Sequence, residues 1–421
     1  MNTVIKNIGC LVTCRGNAIK TGESLNDAGI IDNGFVVIEE DKILAVGKGE
    51  DYKKYLKEDT TIINGENMTV TPGLIDSHTH VVYGGSREKE LALKLNNVSY
   101  IEILNNGGGI LSTVRNTRKA DSDILSEETK KRLDLMLLHG TTTIESKSGY
   151  GLNFEDEIKM LNVNKKLNDE HPIDIVSTYL GAHAIPEEYK ENRDGYIDLM
   201  INEVIPYVGK NKLANFIDCF CEEGVFSVEE SRRILKAGAE KGLKVKIHAD
   251  EIKPIGGAEL AAELNATSAE HLVGASLEGI KELANKGVVA VLLPSTSFYL
   301  MLNKFADART MIKENVPIAL ATDCNPGTSP TESLQNVMTF ACFGMRLTPE
   351  EIINSMTINA AYAIGKNDEI GSIEPGKKAD LVIFNSKSLN YLIYHFGINS
   401  VKSVIKNGKL VVDDNKIVER W

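Results

Sequence analysis

The sequence has no segment suited to a membrane, a signal peptide or a polyanionic partner. No uninterrupted apolar run approaches the roughly 20 residues that a membrane-spanning helix needs. The opening stretch MNTVIKNIGC lacks the charged and apolar regions of a signal peptide. Lysine and arginine form no basic run, and the formal net charge is −12. Nucleic acid and anionic membranes are therefore not expected as partners.

Cysteine is also scarce, and its spacing suits no structural role. The chain has six cysteines in 421 residues, with no CxxC pair and with a spacing that fits neither a zinc ribbon nor a disulfide framework. A reducing compartment, most directly the cytoplasm, is therefore expected. The six are Cys10, Cys14, Cys219, Cys221, Cys324 and Cys342.

Both ends of the chain are rich in predicted β-strands. Residues 1–65 divide into short strands with a turn at residues 40–42, and residues 366–421 have a similar texture with a turn at residues 407–408. Neither segment is long enough to make a good core alone. We therefore predict that the two segments pair into one small β-sandwich beside a central domain.

Residues 66–365 alternate strands with amphipathic helices, which is typical of parallel βα units. Helices are predicted over residues 156–168, 228–241 and 277–285. Eight units in this span favour an α/β fold of the (β/α)₈ TIM-barrel type, because the alternative, a doubly wound open sheet, usually has fewer strands. The eight strand candidates are TVTPGLIDSHTH, GTTTIESKSGYG, DIVSTYLGAHA, ANFIDCFCEEG, LKVKIHADE, ATSAEHL, GVVAVLLPSTS and PIALATDCNPG.

Polar residues gather where these strands end, which is where barrels carry their chemistry. Five of the eight histidines fall at such ends: His78, His80, His183, His248 and His271. In the pair formed by His78 and His80, strand alternation places both imidazoles on the same face.

A metal site is predicted from four of these strand-end residues. An HxH pair alone is a weak signal. Taken alone, His248 could equally be a hydrogen-bonded core histidine, and Asp323 could equally be a helix cap. A buried aspartate after an apolar strand is costly, however, unless it is paired or bound to a cation. Together His78, His80, His248 and Asp323 supply three nitrogens and one carboxylate, and they leave room for water.

Motifs along essentially the whole chain resemble the amidohydrolase superfamily of metal-dependent barrels. They are PGLIDSHTH, HGTTT, IHADE, SAEHL, ATDCNPG and GSIEPGKKADLVIF. The resemblance implies the flanking β-sandwich and a single divalent ion, Zn²⁺ or Fe²⁺, on the four ligands named above. Binuclear relatives use a carbamylated lysine on a middle strand. The one candidate, Lys147, lies on the second strand, so a mononuclear site is expected.

Further motifs resemble the superfamily members that hydrolyse 4-imidazolone-5-propanoate to N-formimino-L-glutamate in histidine degradation. They are YGGSREKE, NNGGGILSTVRNTR, ESKSGYGL, YLGAHAIP, HADEI and TDCNPGTSP. The resemblance also implies a homodimer. It implies substrate contacts from Arg87, Tyr150, His183, Glu251, Asn325, Gly327 and Thr328, with Tyr100 a weaker candidate.

Arg87 could bind the propionate of this substrate through a bidentate fork. Composition alone favours a solvated arginine in the charged run SREKE, and only the motif reverses that interpretation. The glycine-rich stretch NNGGGI is interpreted as a flexible loop and, as a hypothesis, as a lid over the substrate.

The implied reaction is attack of metal-activated water on the ring amide carbonyl. Glu251, His271 and Asp323 are the candidate catalytic residues. Which of the three is the principal base stays open at this stage.

Two alternatives remain. A related barrel could hydrolyse another cyclic amide or deaminate a nucleobase-like ring, since such deaminases share the HxH, His, Glu, His and Asp set. Arg87, Tyr150 and His183 suit a ring acid better than a neutral base. A catalytically silent scaffold would be expected to have lost metal ligands, and this chain keeps all four.

Overall fold

The computed structural model of the chain describes residues 2–16, 18–96 and 107–418. Its strands form two sheets, one of eight strands and one of nine. In chain order they are β1 (Asn2–Val12), β2 (Ile30–Glu39), β3 (Lys42–Lys48), β4 (Thr61–Asn64), β5 (Thr69–Pro72), β6 (Leu74–Thr79), β7 (Thr141–Lys147), β8 (Asp174–Ala182), β9 (Phe216–Cys221), β10 (Lys244–Ala249), β11 (Ser268–His271), β12 (Val289–Leu292), β13 (Ile318–Leu320), β14 (Leu381–Phe384), β15 (Val401–Lys406), β16 (Lys409–Asp413) and β17 (Lys416–Ile417).

Most of the helices connect strands of the eight-strand sheet. Short 3₁₀ turns lie at Gly22–Asn26, Asp51–Tyr55 and Glu187–Tyr189, and a π-helical turn lies at Met200–Val204. The α-helices of the described residues are α1 (Lys89–Leu95), α2 (Gly109–Lys119), α3 (Ser122–Leu138), α4 (Phe154–Glu170), α5 (Arg193–Leu199), α6 (Ile205–Asn211), α7 (Val228–Glu240), α8 (Gly257–Glu263), α9 (Leu277–Lys286), α10 (Pro294–Tyr299), α11 (Ala308–Lys313), α12 (Leu334–Met345), α13 (Pro349–Ser355), α14 (Ile358–Ala363) and α15 (Leu389–Tyr394).

The eight-strand sheet is the predicted barrel. Strands β6 to β13 lie side by side in chain order, and every pair in the series is parallel. The first and last strands meet through the Asp323 N–H, which donates to the His78 carbonyl at 3.0 Å, and the His80 N–H, which donates to the Cys324 carbonyl at 2.9 Å. The sheet therefore closes on itself, and its carboxyl-terminal edge becomes a ring.

The predicted helices are confirmed as α4, α7 and α9. Helix α7 begins with a capping box, in which the Ser227 hydroxyl accepts the Glu230 N–H and the Glu230 carboxylate accepts the Ser227 N–H. Its buried side includes Ile234 and Leu235, which is the amphipathic spacing that the sequence showed. No helix among the described residues is both long and apolar enough to cross a bilayer.

The nine-strand sheet unites the two ends of the described chain, as predicted. Its order is β17-β16-β15-β14-β5-β1-β2-β3, and β4 also pairs with β1. Strands β14 and β5 join the two segments in antiparallel register, with Phe384 opposite Thr69. The domain limits at residues 65 and 365 stay predictions.

The first predicted barrel strand, TVTPGLIDSHTH, divides between the two sheets. Its first part is β5 in the nine-strand sheet, and its second part is β6 in the barrel. Gly73 lies at the transition, where a Cβ atom would come 2.2 Å from the Thr142 hydroxyl oxygen. Only glycine fits this close approach, so the chain can pass from one sheet to the other here.

A partly buried ion cluster joins the nine-strand sheet to the barrel. Lys406 of β15 lies 2.9 Å from Asp174 at the start of β8 and 2.6 Å from Asp380. One hydrophobic core also runs from the barrel helices to Val382 and Val404 of the nine-strand sheet. The nine-strand sheet and the barrel are therefore packed as one unit.

Candidate metal and substrate site

The four predicted ligands and the candidate catalytic residue His271 come together at the carboxyl-terminal ring of the barrel. His78 and His80 lie at the end of β6, His248 lies in β10, His271 ends β11, and Asp323 follows β13. All five side chains are buried. The ring thus gathers residues that are up to about 245 positions apart, because parallel strands end at one edge.

Three of these groups have the spacing of metal ligands. His78 Nε2 and His80 Nε2 are 3.3 Å apart, and each lies 3.4 Å from Asp323 Oδ1. Ligands bound tetrahedrally about 2.0–2.1 Å from an ion lie about 3.3–3.4 Å from each other. His78 also groups with His248 and His271, and in each trio the potential ligand atoms lie within 4.8 Å of one another.

Carboxylates on the far side of the rings orient two of the histidines. His248 Nδ1 lies 2.9 Å from Asp218 Oδ2, and His78 Nδ1 contacts Glu270. His248 Nε2 is buried and has no hydrogen-bond partner among the described residues. Such carboxylate contacts fix the ring so that the other nitrogen faces a metal, and an unpartnered buried nitrogen fits that role.

Lys147 supplies the countercharge for these carboxylates. Its ammonium nitrogen lies 2.8 Å from Glu145, 2.8 Å from Asp218 and 3.4 Å from Glu270, and all four side chains are fully buried. Burial by itself would lower the pKa of Lys147, but the three carboxylates raise it above its usual range. Lys147 therefore stays charged and remains paired with the carboxylates that contact His248 and His78.

Burial also sets the protonation of the site. It lowers the pKa values of His78 and His80 well below their usual range, which leaves neutral imidazoles with a lone pair for a metal. Burial raises the pKa of Asp323 to about 6, although the Thr296 hydroxyl donates to its carboxylate at 2.6 Å.

Two site residues have left-handed backbones. His271 has φ 68° and Asp323 has φ 54°. Such conformations are costly for residues other than glycine, and they cluster at functional sites where the surroundings enforce them.

Glu251 and His271 face each other beside this cluster. Their Oε2 and Nε2 atoms are 3.7 Å apart. Burial and the charge of Asp323 raise the pKa of Glu251 to about 8, whereas burial lowers that of His271 well below its usual range. The pair combines a carboxyl group with a neutral imidazole, as proton transfer requires.

Tyr150 and His183 form an aromatic wall beside His80. The ring of His183 stacks on His80 with centroids 5.1 Å apart, and Tyr150 lies 5.2 Å from His183. The Nδ1 atom of His183 donates to the Gly149 carbonyl at 3.0 Å, so Nε2 is the nitrogen of this ring that has no hydrogen bond to the described residues.

Arg87 is buried against the loop that follows β13, contrary to the solvated arginine that composition alone favours. Its side chain is 9% exposed. A Cβ atom on Gly327 would lie only 2.0 Å from Arg87 Nη1. The N–H groups of Gly327 and Thr328 both donate to Asn325 Oδ1 at 2.8 Å, so Asn325 already shapes this turn.

The structure thus brings together every predicted site residue that it describes. Tyr100 and the first two residues of NNGGGI lie outside the described residues. Sequence reasoning missed Glu145, Asp218 and Glu270. A charged residue within a buried strand was the available signal, as in FIDCF and SAEH, because such a charge needs a partner.

Comparisons with known proteins agree with this architecture. The model of the Amidohydrolase family matches residues 221–411. An imidazolonepropionase of Alkaliphilus metalliredigens is 53% identical over 99% of this chain and 100% of its own length. That of Treponema denticola is 56% identical over 91% of this chain and 93% of its own.

A solved structure of atrazine chlorohydrolase from Arthrobacter aurescens, complexed with zinc, shares the fold. Its TM-score is 0.69 at 17% identity, with 99% of this chain and 96% of that one covered. From the identity shared with the curated relatives along nearly the whole chain, we conclude that this chain belongs to the imidazolonepropionase family of amidohydrolases.

Proposed function

We propose that the chain hydrolyses 4-imidazolone-5-propanoate to N-formimino-L-glutamate. The observation that carries this proposal is the 53% identity with an imidazolonepropionase along 99% of the chain. The barrel-end cluster of histidines and Asp323 supplies the chemistry that such a hydrolase needs.

We infer one divalent ion, Zn²⁺ or Fe²⁺, held by His78, His80, His248 and Asp323. When bound, the ion would lower the pKa of a water molecule and polarise the ring carbonyl. The 3.3–3.4 Å spacing of three ligand atoms supports this set. His248 is favoured over His271 because Asp218 lies 2.9 Å from its Nδ1 and leaves Nε2 to face the ion, whereas the Nε2 of His271 lies 3.7 Å from Glu251.

The reaction adds water to the ring carbonyl carbon and breaks the ring C–N bond. One proton must leave the water, and another must reach the departing nitrogen. We assign these transfers to Glu251, His271 and Asp323, which surround the proposed metal position. The 3.7 Å separation of Glu251 and His271 allows them to act on one substrate atom.

Substrate orientation is assigned to the residues around the cluster. Arg87 would bind the propionate, and Tyr150 and His183 would contact the ring, with the Nε2 of His183 directed to a polar ring atom. The turn formed by Asn325, Gly327 and Thr328 would line the part of the site that receives the substrate propionate.

The test is turnover of 4-imidazolone-5-propanoate, followed by loss of its ultraviolet absorbance, with metal-replete protein. Wild-type turnover, with a kcat/KM that is strongly reduced but still measurable in an Arg87→Ala variant of unchanged metal content, is the expected result. Absence of turnover by wild-type protein that holds its metal would overturn the substrate assignment.

Metal analysis tests the ligand assignment separately. We expect about one equivalent of zinc or iron per chain, with loss of the ion in His80→Ala and retention in His183→Ala. Two equivalents in the wild type, or full retention in His80→Ala, would contradict the assignment.

We also propose a cytoplasmic homodimer without a nucleic-acid partner. The net charge of −12 and the six free cysteines support the compartment and the absence of nucleic acid, and the dimer rests on the family resemblance. Sedimentation of the purified protein at twice the mass of the 46.1 kDa chain would be the expected result.

A further inference from the structure

Glu90, which sequence analysis did not single out, holds the guanidinium group of Arg87. Arg87 Nε lies 3.1 Å from both carboxylate oxygens of Glu90, and Nη2 lies 2.9 Å from Oε2. Both side chains are only 9% exposed. The pair is therefore a nearly buried fork, not a surface contact.

Within the described part of the chain, this contact leaves one edge of the guanidinium group without a hydrogen bond. A guanidinium group has five N–H donors, and Glu90 engages the edge formed by Nε and Nη2. The remaining nitrogen, Nη1, is the atom that lies against Gly327. Glu90 thus determines which edge of Arg87 faces the turn after β13.

Glu90 is itself fixed from a second direction. Its Oε1 atom accepts the N–H of Gly109, the first residue of α2, at 2.8 Å. One turn later on α1, Lys94 donates to the Gly327 carbonyl at 2.8 Å. Hydrogen bonds therefore connect helix α1 both to α2 and to the turn at Gly327.

The carboxylate of Glu90 is charged in this setting. Burial alone would raise its pKa, but the hydrogen bonds and the charge of Arg87 lower it overall. A charged carboxylate holds a guanidinium more firmly than a neutral group would, because charge-assisted forks are short and directional.

We propose that Glu90 is a positioning residue for Arg87, and that it sets the preference of the enzyme for a substrate with a carboxylate side chain. The proposal rests on the proposed function. Without this partner, the Arg87 side chain would lose conformational freedom each time substrate binds. This entropy cost would weaken binding of the substrate carboxylate. The rate of ring opening would not change.

The experiment compares two substrates, 4-imidazolone-5-propanoate and its neutral propionamide analogue. In Glu90→Gln we expect KM for the acid to rise about tenfold with kcat within about twofold. We expect kcat/KM for the amide to change by less than about twofold. The preference for the acid over the amide therefore falls.

Two variants show whether the effect passes through Arg87. In an Arg87→Ala background, adding Glu90→Gln should cause no further loss of acid preference. Glu263→Gln is the matched control, because Glu263 forms the same fork with Arg232 on exposed helices. That control should leave both substrates unaffected.

Equal losses for acid and amide in Glu90→Gln, or an unchanged preference, would overturn the proposal. If Glu90→Gln does not fold, Glu90→Asp keeps the charge and displaces it, and it should also raise KM for the acid alone. Wild-type protein that turns over neither substrate would contradict the proposed function instead, so the two failures are distinguishable.

Discussion

Lys147 is the side chain on which the orientation of two proposed metal ligands depends. It neutralises Asp218 behind His248 and Glu270 behind His78. A Lys147→Met variant would leave these carboxylates buried without their countercharge. We expect its metal affinity to fall about 10–100-fold, as when other partners of metal-bound histidines are removed.

Metal retention against increasing chelator concentration measures this effect. Lys246→Met is the matched control, because Lys246 is equally buried and lies 3.5 Å from Glu270 but forms no ion pair with Asp218 among the described residues. The metal affinity of Lys246→Met should fall less than that of Lys147→Met. Retention by Lys147→Met equal to that of the wild type would be incompatible with the assigned role of Lys147.

Gly327 gives a second prediction at the scale of single residues. In Gly327→Ala the new methyl group would collide with Arg87 Nη1 at 2.0 Å, so the guanidinium group must move. We expect KM for 4-imidazolone-5-propanoate to rise about tenfold or more, with metal content unchanged. The same substitution in an Arg87→Ala background should add nothing, and additive losses would argue against this contact.

At the scale of elements, the closure of the barrel depends on a polar contact between its first and last strands. Asp76 of β6 accepts the Thr322 N–H at 3.0 Å and the Thr322 hydroxyl at 2.6 Å, and both residues are fully buried. Thr322→Val removes the hydroxyl but keeps the shape. We expect about 1–3 kcal/mol of lost stability, because a buried carboxylate oxygen loses its donor.

Urea unfolding measures this loss. Thr310→Val is the control, since the Thr310 hydroxyl donates to Asp307 in an exposed contact at 2.7 Å, where water can replace the lost partner. Equal losses in the two variants would show that burial of the Asp76 contact does not matter.

The strands and helices were largely predictable from the sequence, but the distant residues that each of them contacts were not. Strands such as LKVKIHA and helices such as α7 follow from runs and periods of apolar residues, which are local properties. The division of TVTPGLIDSHTH at Gly73 was missed because both halves are buried and β-forming. The point of division is marked only by the close contact between Gly73 and the Thr142 side chain, and Thr142 lies about 70 residues later in the chain.

The site shows the same limit. Strand ends marked His78, His248 and Asp323, because polar groups there interrupt apolar runs. The fork between Glu90 and Arg87 was invisible in SREKE, where alternating charges look solvated. The Arg87 and Glu90 side chains are shielded in part by Gly327 and Gly109, which are distant in the chain and which no local pattern reports.

At the scale of the whole molecule, Lys406 joins the nine-strand sheet to the barrel through Asp174 and Asp380. Lys406→Met would leave Asp380 without its cation and Asp174 with Lys378 alone, at 3.4 Å. We expect about 3–5 kcal/mol of lost stability in urea unfolding at neutral pH. Lys402→Met on the same strand, which breaks an exposed pair with Asp414, should cost at most about 1 kcal/mol.

The difference between wild type and Lys406→Met should also depend on pH. Burial would raise the pKa of Asp174, but Lys406 and Lys378 lower it overall. The stability from Asp174 is then complete above its unfolded pKa of about 3.9 and is lost as pH falls below that value. A difference that stays constant from pH 6 to pH 3 would contradict this ion cluster.

The pairing of β14 with β5 has a consequence for synthesis on the ribosome. Thr69 donates to the carbonyl of Ser386, 317 residues later, so β5 has an unpaired edge until all eight barrel strands have been translated. Unpaired strand edges invite association with other chains. Nascent chains halted before residue 380 should therefore need chaperone protection that the released protein does not.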